Sequence, residues 1–211
     1  MCNDFKKILV LVPHTDDAEL GCGATIAKII EKGREVFMMV FSMALPVLGN
    51  SHSAGEVKRE AQNAASILGL KKENLFFFNY QARTFNESRQ NILDDMVKIR
   101  NSVSPELVFL PSLDDFHQDH AVISREGLRA FKHASILGYE EPWNALESKV
   151  NFFIRIEENH LQKKIMALGQ YKSQTGRKFF EEKRIKSLAT VRGLQANTDY
   201  AEAFETVRFY C

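Results

Sequence analysis

Apolar positions along this chain fall into two alternating patterns: short unbroken runs, and longer stretches in which they recur every three or four residues. Ile8 to Val12 is a continuous apolar run, as expected of a strand buried on both faces. Gly23, Ile26, Ala27 and Ile30 follow at helical spacing, and Gly33 supplies a stop. Val36 to Phe41 reads as a second strand, after which Val57, Ala61, Ala64, Ala65 and Leu68 restore the helical period up to Gly69. Leu75 to Phe78 predicts a third strand, and Ile92, Met96, Ile99 and Val103 a third helix that Pro105 ends. Leu107 to Leu110 is a fourth buried run, and Ile123, Gly127, Ala130 and Ala134 give the small face of a fourth helix. Val150 to Ile156 predicts a fifth strand, and Leu161, Ile165 and Leu168 a fifth helix; from Thr175 the chain is more polar and shows no clear period.

Strands alternating with helices in this way predict an α/β domain built on a largely parallel sheet. No repeat or shift in composition divides the chain, so residues 1–211 are expected to form one domain. Ser42 to Gly55 has no period and contains Pro46, Gly49 and Gly55. A loop of that length predicts either a flap over a functional crevice or a passive surface segment.

Composition narrows the function classes. Lys and Arg number 28 against 27 Asp and Glu, so the net charge of +1 gives no pull towards nucleic acid or anionic lipid. Cys2, Cys22 and Cys211 are too few and too scattered for a disulfide scaffold or a Cys-rich zinc site. The opening apolar run is too short for a signal-peptide core, and no stretch approaches a transmembrane span, which makes the cytoplasm the expected compartment.

The chemistry lies in two polar clusters, each just after a buried strand. One is Pro13-His14-Thr15-Asp16-Asp17-Ala18-Glu19; the other is Asp114-Asp115-Phe116-His117-Gln118-Asp119-His120. Ligands of open α/β sheets bind at the carboxyl ends of strands, near the point where strand order reverses, so both clusters can face one crevice. His14 and Asp17, three apart on a strand-to-helix turn, can bend towards one point, and His120 can join them from the second loop. Two imidazoles and one carboxylate make a three-ligand site with an open fourth position, the arrangement of a single catalytic zinc ion. Zinc brings the pKa of its water to roughly 7, which makes a hydroxide nucleophile available near neutrality. Asp16, beside a ligand but not needed as one, is free to take a proton, with Glu19 the next candidate. His117 is then placed to stabilise an oxyanion or protonate a leaving nitrogen. Asp119 is expected either to orient that imidazole and favour its protonated form, or to N-cap the following helix. An acidic pair after a first strand also occurs in phosphoacceptor receiver domains that bind magnesium, but those need neither His14 nor a distant His-x-x-His. His52, His133 and His160 have no partners at ligand spacing and read as solvated or core residues.

Together these residues resemble the PIG-L/LmbE-type de-N-acetylases, whose signatures are His-Pro-Asp-Asp-x-Glu after the first strand and a later His-x-Asp-His. Here they read His14-Thr15-Asp16-Asp17-Ala18-Glu19 and His117-Gln118-Asp119-His120, and the likeness extends to Ala64-Ala65, Leu68-Gly69 and Tyr171-Lys172-Ser173-Gln174. The resemblance implies a Rossmann-like three-layer α/β fold and a zinc-dependent hydrolase that removes the N-acetyl group from an N-acetylglucosamine-type conjugate. It implies His14, Asp17 and His120 as zinc ligands, Asp16 as general base, His117 as transition-state stabiliser or acid, and Asp119 as the family's acidic residue before the second His. A substrate of this kind is a small N-acetylated amino-sugar conjugate. Two positions depart from the pattern. Thr15 replaces the usual Pro, and Val57 stands where the family often carries an Arg. Arg83, after the third strand, is the expected replacement for anchoring a hydroxyl or phosphate; the alternative is a surface arginine.

Overall fold

The computed structural model describes residues 5–43 and 53–210. Within them seven strands form one sheet: β1 (Lys7–His14), β2 (Glu35–Ser42), β3 (Leu75–Phe77), β4 (Leu107–Pro111), β5 (Ser135–Tyr139), β6 (Phe152–Ile156) and β7 (Tyr200–Arg208). Their order in space is β3-β2-β1-β4-β5-β7-β6. The pairings from β3 through β5 are parallel, and β7 alone runs antiparallel to its two neighbours. Six helices accompany the sheet: α1 (Asp17–Glu31), α2 (Ala54–Leu68), α3 (Arg89–Val103), α4 (Gln118–Ala130), α5 (Glu158–Leu168) and α6 (Glu182–Gln195).

The unbroken apolar runs are explained by a sheet covered on both faces. Along β1, Ile8, Val10 and Val12 face a core shared with Ile26 of α1 and Ala61, Ala64 and Leu68 of α2. Leu9 and Leu11 face the opposite core, shared with Ile92 and Met96 of α3 and Val122 and Ile123 of α4. A third cluster joins α1 to α5 and α6 through Leu20, Leu161, Leu168, Ile185 and Ala189. Strand order reverses between β1 and β4, which pair directly, so the two segments that follow them open onto one crevice.

Local signals set the helix ends. Ser53 and Glu56 form a reciprocal capping box at the start of α2, with bonds of 3.2 and 2.7 Å, of a kind contributing about 1 kcal/mol. Gly69 closes the same helix at φ 98°, a left-handed conformation that favours glycine.

Several elements differ from the sequence expectation. Helix α1 starts at Asp17, before the apolar spacing does, because its first turn buries Asp17 and Glu19 together with Ala18 and Leu20, which breaks the apolar period. Helix α4 ends at Ala130, and β5 begins directly after Ala134, which the periodicity had assigned to that helix. Strand β7 was hidden by Ala201, Glu202, Ala203 and Glu205, residue types with low strand preference. Helix α6 was hidden because Ile185, Ala189 and Gly193 are its only buried residues, a narrow stripe in a polar segment. The Ser42 to Gly55 segment falls largely outside the described residues; its described ends are the close of β2 and the cap and first turn of α2. Among the described residues no helix is long and apolar enough to cross a membrane.

One glycine fixes how closely α1 approaches the sheet. A Cβ on Gly21 would lie 2.3 Å from the ring of Tyr139, which is fully buried and donates its hydroxyl to the Leu11 carbonyl. Gly21→Ala therefore forces either the ring or the helix start to move. We expect a loss of roughly 1–3 kcal/mol in a denaturant titration, the scale of overpacking a tight core. Wild-type stability for this variant would show that the helix start yields without cost.

Candidate active site

His14 ends β1 and Asp17 begins α1, so only Thr15 and Asp16 separate strand from helix. The His14 backbone N–H donates to Asp17 Oδ2 at 2.7 Å, which folds the carboxylate back over the strand end. Asp17 Oδ2 then lies 3.3 Å from His14 Nδ1 and 3.3 Å from His120 Nε2, and the two ring nitrogens are 3.4 Å apart. These three atoms form a nearly equilateral triangle. Ligands at about 2.0–2.1 Å around a tetrahedral zinc are separated by about 3.3–3.4 Å, so the triangle matches one face of that shell. Two imidazoles with one carboxylate suit zinc far better than magnesium, which takes oxygen ligands.

The opposite ring nitrogens are also held. His14 Nε2 lies 3.0 Å from Asp119 Oδ2, and His120 Nδ1 lies 2.7 Å from Asp115 Oδ2. A carboxylate behind each imidazole fixes the ring and leaves the nitrogen of the triangle as the donor. Burial opposes charge on His14, but Asp17 and Asp119 outweigh it and push the imidazole up to about 9. His120 is raised in the same way, chiefly by Asp17 and Asp115 acting against its burial. Burial works against the Asp17 charge too, yet the two histidines hold its carboxyl well below the usual range.

Asp16 occupies the N-cap position of α1 without making a side-chain cap bond, and it lines the cavity above the triangle. Burial and the neighbouring Asp17 push it up to about 6, with His14 and Arg177 pulling the other way. His117 is the N-cap of α4, and its Nδ1 accepts the Asp119 backbone N–H at 3.2 Å. A neutral ring bonded in that way carries its proton on Nε2. Burial, then His120 and His14, lower its pKa, so this neutral form prevails at pH 7.

These contacts correct two expectations. The Asp119 carboxylate does not hold the His117 ring: it bonds His14 and accepts the Arg83 backbone N–H at 2.7 Å. Nor is Asp119 the N-cap, which is His117 itself. Glu19, the reserve candidate for a base, is fully buried and does not line the cavity.

The cavity over the triangle measures about 180 Å³ and brings together His14, Asp16, Asp17, Arg83, His117 and His120. Arg83 is exposed at its rim with φ 71°, a strained backbone for a residue other than glycine. Val57 is fully buried and makes no part of the wall. Sequence reasoning missed Asp115, whose two oxygens serve His120 Nδ1 and the His117 backbone N–H. It was visible within the second cluster, but nothing in its spacing separated it from Asp114. Glu141 was missed as well: it is buried beside Asp115 and His120, and burial and Asp17 raise its pKa well above normal. It follows β5, so recognising that strand would have put it at a strand end. Arg177, Trp143 and Phe179 complete the wall from segments with no apolar period.

The fold and this site define an α/β protein whose histidine–carboxylate cluster at the strand switch could hold a metal ion. The chain belongs to the PIG-L family, described as GlcNAc-PI de-N-acetylase, which its residues 9–131 match. It is 32% identical over 177 residues to the uncharacterized deacetylase YaiS of Escherichia coli K12, covering 81% of this chain and 93% of that protein. Among solved structures it resembles N,N'-diacetylchitobiose deacetylase from Pyrococcus horikoshii, with TM-score 0.78, 23% identity, and coverage of 97% and 85% of the two chains. GalB, the 4-carboxy-2-hydroxymuconate hydratase of Pseudomonas putida KT2440, shares the fold with TM-score 0.76, 21% identity and 98% coverage of each chain.

The raised histidines carry a prediction. Each holds a proton below its raised pKa, so a cation competing for these nitrogens must displace protons. Zinc affinity should weaken as pH falls and strengthen towards about 9, where His14 loses its proton unaided. Calorimetric titration with zinc at neutral pH, in buffers of different ionisation heat, should show at least one proton released per ion. Binding without proton release would remove the imidazoles from the ligand set.

Proposed function

We propose that this chain is a zinc-dependent hydrolase that removes the acetyl group from an N-acetylated amino sugar of the N-acetylglucosamine type. The observation that carries the reading is the triangle of His14 Nδ1, Asp17 Oδ2 and His120 Nε2, with edges of 3.3, 3.3 and 3.4 Å, beside an uncapped Asp16 carboxylate. Membership of the PIG-L family and likeness to deacetylases support the acyl chemistry and the sugar.

His14, Asp17 and His120 would hold the ion, and Asp115 and Asp119 keep the two rings aimed at it. Zinc bound there supplies an electrophile for the acyl oxygen and brings water towards hydroxide near neutral pH. Asp16 accepts the proton of the attacking water and returns it to the departing amine nitrogen. The His117 Nε2–H donates to the acyl oxygen as negative charge develops on it, a task for which a neutral ring suffices. Arg83 and Arg177 stand on the wall to receive hydroxyls or a phosphate of the substrate. Incubating zinc-loaded protein with a panel of N-acetylhexosamine conjugates tests the reading. Free amine and acetate should appear in equal amounts; a zinc-replete protein that releases amine from none of them would overturn it.

Asp16 and His117 separate chemistry from metal binding. Asp16→Asn and His117→Ala should keep zinc, because neither atom belongs to the triangle, while turnover drops roughly a hundredfold or more. His14→Ala, Asp17→Ala and His120→Ala should lose zinc and activity together. A carboxylic acid with a raised pKa stays protonated to higher pH, so kcat/KM should fall as pH drops through the Asp16 value. A cation at Asp17 draws that value down, placing the acidic limb at or below about 6. Near-normal turnover by zinc-loaded Asp16→Asn would make the base assignment wrong.

A further inference from the structure

A second cavity, of about 590 Å³, opens beside the reaction cavity and runs between α1, α6 and β7. Leu20, Trp143 and Phe179 line both spaces, which therefore share one wall. The rings of Trp143 and Phe179 stack with centroids 4.7 Å apart and planes inclined by 12°, a flat partition between them. Beyond it the wall includes Leu161, Ile185, Leu188 and Ala189.

Charged side chains reach this cavity too, and each cation already contacts a carboxylate. Lys164 Nζ lies 2.6 Å from Glu202 and donates to the Leu20 carbonyl at 2.7 Å. Arg192 makes a two-pronged contact with Glu140 at 2.8 and 2.6 Å. Lys183 and Arg184 both reach Glu181. The one surplus cation, left because Lys183 and Arg184 share Glu181, sits on exposed side chains that water screens, so the apolar walls favour an uncharged apolar ligand over an anion; the volume lies within the range of about 300–1,000 Å³ usual for small-molecule sites. The reaction cavity, at about 180 Å³, leaves little room beyond the acetamido sugar, so what the sugar carries lies outside it, and the larger cavity is the apolar space that adjoins it at Leu20, Trp143 and Phe179.

We propose that the larger cavity is an aglycone subsite, taking an uncharged alkyl or aryl group carried on the sugar, so that the enzyme prefers amphipathic N-acetylglycosaminides to the bare sugar. This rests on the amino-sugar reading above. Trp143 is the sole tryptophan of the chain, so its emission reports on the shared wall. Octyl glucoside below its micelle threshold, which has no acetamido group, should change that emission saturably, and methyl glucoside should not. With zinc-loaded enzyme, octyl N-acetylglucosaminide should show a KM at least tenfold below that of the methyl glycoside. Leu188→Asp and Ser187→Phe, which put charge or bulk into the larger cavity alone, should abolish the octyl advantage and leave methyl-glycoside turnover unchanged.

Equal KM values for the two glycosides, or an octyl advantage that survives both substitutions, would overturn the proposal. So would emission that shifts with protein concentration and ignores octyl glucoside, because a second copy of the chain would then cover this face. If octyl glucoside saturates the emission while neither glycoside is deacetylated, the apolar subsite stands and the amino-sugar reading falls.

Discussion

A carboxylate placed under two imidazoles, out of contact with bulk water, is the constraint around which the centre of this protein is arranged. Burying an ionised carboxylate costs several kcal/mol unless opposite charge and hydrogen bonds offset it. Asp17 meets that demand at the first turn of α1, where helix N–H groups favour negative charge. His14 and His120 complete the compensation, and each depends on a carboxylate of its own, Asp119 and Asp115. A short loop and the first turn of α4 thus supply one histidine of the triangle and the supports of both. Moving the segment after β4 would therefore displace both rings at once.

Much of the fold was legible because β1, β2 and β4 are buried on both faces, which writes their apolar runs plainly into the chain. That His14, Asp17 and His120 come together was legible for a related reason. Strand ends are where an open parallel sheet exposes function, and the two polar clusters stood at two of them. What escaped was structure held together by small or polar residues. Four of the nine residues of strand β7 are Ala or Glu, and its Glu202 is buried because it caps the backbone N–H groups of Ala24 and Thr25 and pairs with Lys164. That network is tertiary, and no local pattern announces it. The role of Asp119 was misjudged for the same reason: adjacency in sequence suggested His117, whereas its partner is His14, 105 residues away.

The likeness to GalB shows that this fold is not tied to one reaction. The character of the centre lies instead in the groups around the triangle, and here they are sharply differentiated. Asp16 is uncapped and lifted towards neutrality, whereas Asp17 is driven far in the other direction although it is the next residue. Two adjacent carboxylates with opposed shifts suit one to proton exchange and the other to permanent charge.

The hydroxyl of Tyr171 donates to the carbonyl of Thr15, in the two-residue turn that separates His14 from Asp17. The parts of this centre therefore lie far apart in the order of synthesis. A nascent chain has made β1 and the start of α1 long before His120 exists, and longer still before Tyr171 arrives to brace the turn. On the ribosome the parallel strands can begin to pair while the cluster of charges they carry still lacks its partners. The last third of the polypeptide, which holds none of the three triangle atoms, therefore supplies a brace that the turn lacks until Tyr171 has been made.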